Sequence, residues 1–457
     1  MPFVILPTNS ASGGYDITNS LRFNSGSSDY LNKTFASAGN RKTWTWSCWV
    51  KRNIVGSADC ILNGNGNGFL IVLQASNDLE IYSYSGSYQL QLVTSQLFRD
   101  VSAWYHIVFA LDTTQATSSN RAKLYINGTQ VTSFSTATYP SQNTDLLLNA
   151  SVAHYIGVYD ASSQYFDGYM SEVYLIDGQA LTPSSFGETD FDTGIWKPKA
   201  YTGTYGTNGF YLQFKNSSSL GTDSSGNGNT FTVNNLTSID QTTDTPTNNF
   251  ATINTLTCND TASLTASEGN LSISGGNDMG ATFGLTKGKW YWESKRTNTG
   301  SAAHWGIGFT QSWNSSTQIV TGNGSGIWIR NDFVGGYNVN NSGSNGFTTI
   351  SGSTTGSSIA NGDIVGIALD LDSATKSITF YQNGSSVGSG TFSYDGTTTF
   401  CFPFVRNNSG VSSQWNFGNP PFTISSGNSD ANGYGNFEYA VPSGYYALNT
   451  KNLAQYG

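Results

Sequence analysis

The chain is poor in charge. Asp, Glu, Lys and Arg make up 11% of its 457 residues, where a soluble domain ordinarily carries roughly 25%. Proline is scarce at 10 residues, cysteine at 4, methionine and histidine at 3 each. The residues that build surface helices are thin on the ground, which disfavours a helix-rich architecture. Lysine and arginine never cluster, and acids outnumber bases 29 to 20. That excludes a phosphate-tracking nucleic-acid surface. No apolar run approaches the roughly 18 residues that mark a spanning helix, so membrane insertion is not expected. Low charge and 52 glycines would suit a disordered chain, but disorder also needs few aromatics. Here aromatics are 14%, with 11 Trp, 25 Tyr and 26 Phe, and the net charge is only -9. The composition is therefore that of a folded, strand-and-turn protein whose surface is solvated by amides and hydroxyls.

Period-2 strands fill the first half. Residues 44–50 place Trp44, Trp46, Cys48 and Val50 on one face. Residues 104–111 are apolar on both faces, as expected for a strand buried on both sides. Lys123 to Ile126 runs into Asn127-Gly128, the strongest short hairpin signal, because both residues accept positive φ. The second half repeats the order: a buried strand at 363–370, an amphipathic one at 377–382, then Asn383-Gly384. Thr182-Pro183 reads as the start of a single helical turn. The four cysteines, Cys48, Cys60, Cys258 and Cys401, lack metal-ligand spacing and read as buried thiols, with a Cys48–Cys60 bridge left open. The expected architecture is all-β: two antiparallel, jelly-roll-type sandwiches in tandem. The expected boundaries are an N-terminal attachment segment 1–19, a first sandwich 20–195, a connecting segment 196–245 and a second sandwich 246–457.

Two family resemblances sharpen this. Residues about 20–195 resemble laminin G-like domains of the concanavalin A-like class. The matching pieces are Ser20 to Phe23, Trp44 to Val50, Trp104 to Val108, Lys123 to Gly128, and Phe166-Asp167-Gly168 through Val173. Residues about 246–453 resemble a SPRY domain through Lys287 to Glu293, Trp305 to Phe309, Gly362 to Gly366, and Trp415 to Phe422. The joint Asp244 to Phe250 and the ending Pro442 to Leu453 look like virion proteins of tailed bacteriophages, which are fibre, tail or capsid-surface components. These resemblances imply a virion component with no signal peptide, made in the host cytoplasm. Its partners would be other virion proteins, reached through the N-terminal segment, and further copies of itself, a trimer being favoured.

Catalytic and metal-binding patterns are mostly absent from the sequence. The concanavalin-like class includes glycoside hydrolases that present Glu-x-Asp-x-Glu on a strand, and retaining enzymes need two carboxylates about 5 Å apart. The nearest match, Glu188-Thr189-Asp190-Phe191-Asp192, ends in Asp and follows the last strand, so it reads as a solvated acidic loop. His106, His154 and His304 are far apart, and His106 reads as a satisfied core histidine. Laminin G-like domains often bind Ca²⁺. Asp112, Asp160, Asp167 and Asp177, and the loop Asp223 to Asn227, nevertheless read as turn formers and not as a cage of six to eight oxygens. Neither metal nor cofactor is expected, and no enzyme. What remains is glycan binding, which pairs aromatic faces with amides and hydroxyls. The loop aromatics Tyr84, Tyr88, Tyr159, Tyr165, Trp313 and Tyr337 are the candidate ligand-binding residues. The expected role is thus a non-enzymatic virion surface protein that binds host glycans. The alternatives are a purely structural decoration protein and, less favoured, a polysaccharide-degrading enzyme.

Overall fold

The structure, a computed structural model, describes residues 14–258, 260–298, 303–310, 325–330, 358–392, 394, 396, 400–407 and 410–457. The chain divides into two compact units between Thr247 and Asn248. Both are β-sandwiches, which bears out the all-β expectation.

The first unit packs two eight-stranded sheets face to face. One, here called the Trp sheet, runs in the order Thr129–Gln130, Ala122–Ile126, Tyr105–Asp112, Thr43–Arg52, Gly168–Asp177, Ser20–Phe23, Gln241–Thr242. Phe210–Leu212 pairs as well with Gly168–Asp177. The other, the Tyr sheet, runs Phe134–Thr138, Tyr88–Leu97, Asp78–Tyr84, Phe69–Leu73, Asp59–Gly64, Ala153–Ile156, Tyr30–Thr34, Thr232–Asn234. Trp44, Trp46, Cys48 and Val50 face the core as the alternation requires, meeting Phe69, Ile71, Leu79 and Ile81 from the opposite sheet. All four cysteines are free and buried.

Residues 196–245, expected to connect the sandwiches, are part of the first one. They supply Phe210–Leu212, Thr232–Asn234 and Gln241–Thr242 to its two sheets. The physical reason is the apolar outer face of the Trp sheet. Val108, Tyr125, Tyr174 and Ile176 point away from the core and need a cover, which Leu181, Phe186, Tyr201, Tyr205 and Tyr211 provide. Tyr174 and Tyr211 stack at 4.2 Å. Pro183–Ser185 forms the single 3-10 turn within this cover. The Thr182 hydroxyl does not cap it and bonds instead to Ser184 Oγ at 2.8 Å.

The second unit has an eight-stranded sheet, Thr265–Ser267, Ser272–Ser274, Ser412–Asn416, Lys289–Arg296, Ile364–Asp370, Lys376–Gln382, Ser385–Phe392, with Tyr446–Ala447 parallel to Lys289–Arg296. A four-stranded sheet of Met279–Gly280, Phe400–Asn407, Ala303–Thr310 and Ser325–Arg330 packs against it. Glu293, at the end of the Trp-Tyr-Trp-Glu run, is fully buried. It accepts hydrogen bonds from Tyr291 Oη, Asn416 Nδ2 and the backbone N–H of Glu438 and Tyr439. The motif thus ties the C-terminal segment to the central strand.

Both units close the Asn-Gly hairpin in the same way. Asn127 and Gly128 have φ of 48° and 80°, Asn383 and Gly384 of 50° and 79°. Asn127 Oδ1 accepts from the His106 N–H at 2.7 Å, and Asn383 Oδ1 from the Ile364 N–H at 2.9 Å. An aromatic ring lies on each glycine: a Cβ on Gly128 would come within 2.4 Å of Trp196, and one on Gly384 within 2.5 Å of Tyr439. Gly128→Ala and Gly384→Ala are each expected to destabilise their own sandwich by at least about 1 kcal/mol, from backbone strain alone. Chemical denaturation measures it, and an unchanged midpoint in either variant would contradict the ring contact.

Candidate functional site

The candidate site is the outer face of the Tyr sheet. Alternation sets it up. Leu79 and Ile81 turn into the core while Glu80 and Tyr82 turn out, and Ile71 turns in while Leu70 and Val72 turn out. Strand register then aligns outward residues from distant parts of the chain in one row: Gln91, Tyr82, Leu70, Asn63, Tyr155, Asn32. Tyr82 and Tyr155 are three strand spacings apart, about 14 Å.

Two aromatic groups flank the row. Tyr88 lies edge-on to both Tyr82 (5.7 Å) and Tyr84 (5.2 Å), and Tyr30 lies beside Tyr155 (6.2 Å) and Tyr165 (6.4 Å). Asn67 joins them, its Oδ1 accepting from Tyr159 Oη at 2.7 Å and Tyr82 Oη at 3.4 Å. The glycine-rich turn that presents Asn67 is not loose. Asn63 Nδ2 donates to the carbonyls of Gly66 and Phe69, and Asn65 and Gly66 both sit at positive φ. Glu80 positions two amides, accepting from Gln74 Nε2 and Gln91 Nε2. The phenols of Tyr82, Tyr155 and Tyr159 have raised pKa values, first through burial, so they stay hydrogen-bond donors.

Four of the six residues singled out from sequence, Tyr84, Tyr88, Tyr159 and Tyr165, come together on this face. Of these four, Tyr84 and Tyr88 are the most open, 37% and 46% exposed. Tyr165 braces its own loop through a bond to the Ala161 carbonyl. Trp313 and Tyr337 lie outside the described residues. Sequence reasoning missed Tyr30, Tyr82, Tyr155 and Asn67. Tyr82 and Tyr155 were legible as outward positions of recognised strands; Tyr30 and Asn67 had no local signal.

The other candidates find structural places. Glu188 and Asp190 both reach Lys197 Nζ, at 3.6 and 3.1 Å, on the hairpin of Gly187–Thr189 and Trp196–Pro198. Hydrogen bonds from the Thr193 N–H and hydroxyl, then Lys197, hold the Asp190 carboxyl down to about 2. Asp177 accepts from the Asn40 and Asn208 N–H groups and Asn149 Nδ2. Asp223 accepts from the Tyr211, Ser225 and Asn229 N–H groups. Among the described residues no group of three or more His, Cys, Asp or Glu is placed to hold a metal ion. His106 lies not between the sheets but on the covered outer face of the Trp sheet, stacked on Trp49 at 4.7 Å. Trp196 Nε1 donates to its Nδ1 at 3.0 Å, so the ring proton sits on Nε2 and goes to Ser47 Oγ at 2.8 Å.

Residues 25–185 match the concanavalin A-like lectin/glucanases superfamily, and residues 289–420 match the SPRY domain. The chain carries a laminin G-like domain of the concanavalin A-like class followed by a SPRY domain. Similar solved structures include a heptameric pentraxin from Limulus polyphemus, 15% identical over 37% of this chain and 80% of that one, TM-score 0.27. Domain 4 of an extracellular arabinanase from Geobacillus stearothermophilus, in complex with arabinotriose, is 21% identical over 32% of this chain and 65% of that one, TM-score 0.25. A human SPRY domain is 18% identical over 34% of this chain and 94% of that one, TM-score 0.23. No curated protein matches.

Burial lowers the pKa of His106 to about 3 and of His154 to about 4. Both are therefore neutral in the fold, and the unfolded chain binds their protons more readily. Their contribution to stability is complete above the unfolded value near 6.5 and is lost as pH falls toward 4 and then 3. His106→Gln is expected to flatten the loss of stability between pH 6.5 and 4, read from denaturation midpoints; a slope equal to wild type would mean that His106 is already charged in the fold.

Proposed function

We propose that the protein is a non-enzymatic component of a phage particle surface, as head fibre, capsid decoration or tail-fibre-type adhesin, that binds a neutral glycan on the outer face of the Tyr sheet. The observation that carries the glycan reading is the row Gln91–Tyr82–Leu70–Asn63–Tyr155–Asn32 with exposed Tyr84 and Tyr88 beside it. Tyrosine faces pack on sugar C–H surfaces, and the amides of Gln91, Asn32 and Asn67 serve the hydroxyls. The low charge of the chain suits a neutral ligand. The phage context rests on the sequence resemblance at residues 244–250 and 442–453. Attachment through the N-terminal segment to another virion protein, and assembly as a trimer, belong to the same proposal. Non-enzymatic action is supported by the acids. Glu188 and Asp190 share one lysine on an outlying hairpin, and Glu172 and Glu293 are buried among hydrogen-bond donors.

One observation favours a second reading, a decoration protein without ligand: the hydroxyls of Tyr82, Tyr159 and Tyr165 already have protein acceptors. A glycan array separates the two. Tyr88→Ala and Tyr84→Ala, both at exposed positions, are expected to weaken binding roughly tenfold each, about 1.4 kcal/mol, with unfolding temperature unchanged. Absence of any glycan signal from the intact protein would leave the ligand-free role. Immunogold labelling of particles checks the location; labelling confined to host debris would end the virion proposal.

A further inference from the structure

A second hollow lies on the other sheet. A cavity of about 220 Å³ opens on the outer face of the Trp sheet, between Tyr105–Asp112, Ala122–Ile126 and the start of the covering segment. Small side chains make it. Ala110 stands opposite Lys123 in register, one outward position along from Val108 opposite Tyr125, and Ala180 and Leu181 form the far wall. Where Val108 is covered by aromatic rings, Ala110 leaves space.

Two donors in this cavity have no partner among the described residues. Tyr125 is 9% exposed, lines the cavity, and its hydroxyl makes no hydrogen bond within the fold. Burial raises its pKa, so the phenol keeps its proton. Lys123, half-buried on the same strand, has no carboxylate within ion-pair distance. The ring is covered, but the hydroxyl opens into the cavity with no hydrogen-bond partner in the fold, so its proton is free for a ligand. Asp112 also lines the cavity but is itself well supplied. Thr114 donates its N–H and hydroxyl, and Gln115 its amide at 2.6 Å. Burial opposes the Asp112 charge, but these bonds outweigh it and hold the carboxyl below its ordinary pKa. The cavity therefore offers an ammonium and a phenol proton on one strand, a fixed carboxylate on its neighbour, and an apolar wall at Leu181.

The geometry points to a binding site for a single hexuronic acid ring, its carboxylate on Lys123 Nζ and Tyr125 Oη, its hydroxyls toward Asp112, and its C–H face on Leu181. Size limits the ligand: drug-sized molecules occupy roughly 300–1,000 Å³, so this cavity takes one ring or one chain end. The Lys123 ammonium favours an acid over a neutral sugar, with the acid's carboxylate held on the Lys123 side, away from Asp112. The site lies on the sheet opposite the tyrosine face and stands apart from it.

Isothermal titration of the full chain with glucuronate, and with glucose as the neutral control, tests this. Glucuronate is expected to bind at least about tenfold more tightly than glucose, and Lys123→Gln to abolish that preference. Ala110→Leu fills the hollow and is expected to remove glucuronate binding with the unfolding temperature retained, whereas Tyr88→Ala leaves it intact. Displacement by alginate oligomers would identify a polymer-borne ring as the source, and displacement by glucuronate alone the free acid; either supports the site. Equal binding of glucose, undiminished binding by Lys123→Gln or by folded Ala110→Leu, or no saturable binding would overturn it.

Discussion

The first sandwich depends on burying a sheet on both of its faces. The inner face of the Trp sheet meets the Tyr sheet in an apolar core, but its outer face carries Lys51, His106, Glu172 and Trp104 as well as apolar residues. The charged groups fully enclosed there have partners inside the protein, because a buried unpaired charge costs several kcal/mol. Lys51 Nζ lies 2.8 Å from Asp244, with both side chains fully enclosed, and Trp104 Nε1 donates to the same carboxylate. Glu172 takes the hydroxyls of Tyr15, Tyr174 and Tyr211, and burial raises its pKa despite them. These bonds reach from the strands at 43–52 and 168–177 out to residue 244. They tie the run to 247 into one compact unit.

The same constraint decides which faces of the first unit stay open. Once the segment 178–211 lies over the Trp sheet, the broad open surface is the outer face of the Tyr sheet, and what is left on the Trp sheet is a hollow at Ala110. It also sharpens the meaning of the low charge. Arg22, Lys51, Arg52 and Arg296 are all buried, so part of an already small complement of charge is spent inside. The exposed charge is thinned further, and amides, hydroxyls and phenols make up much of the surface.

The two sandwiches solve one local problem alike. In each, an Asn-Gly turn at positive φ docks its asparagine side chain on the neighbouring buried strand and receives an aromatic ring on its glycine. The hairpins were legible because Asn-Gly has a local cause. The rings on them, Trp196 and Tyr439, were not, because each arrives from far along the chain.

The sequence by itself determined the all-β class, the strands at 44–50 and 104–111 and both hairpins, since alternation and turn chemistry are properties of adjacent residues. It also pointed to Tyr84, Tyr88, Tyr159 and Tyr165. Only the tertiary structure decided that these four share a surface with Tyr30, Tyr82, Tyr155 and Asn67, that residues 196–245 complete the first sandwich, and that Ala110 leaves a hollow beside Lys123. Strand order is set by hydrogen bonds between segments more than a hundred residues apart in places, as where Tyr30–Thr34 pairs with Ala153–Ile156. A period of two along one strand carries no record of which strand lies next to it.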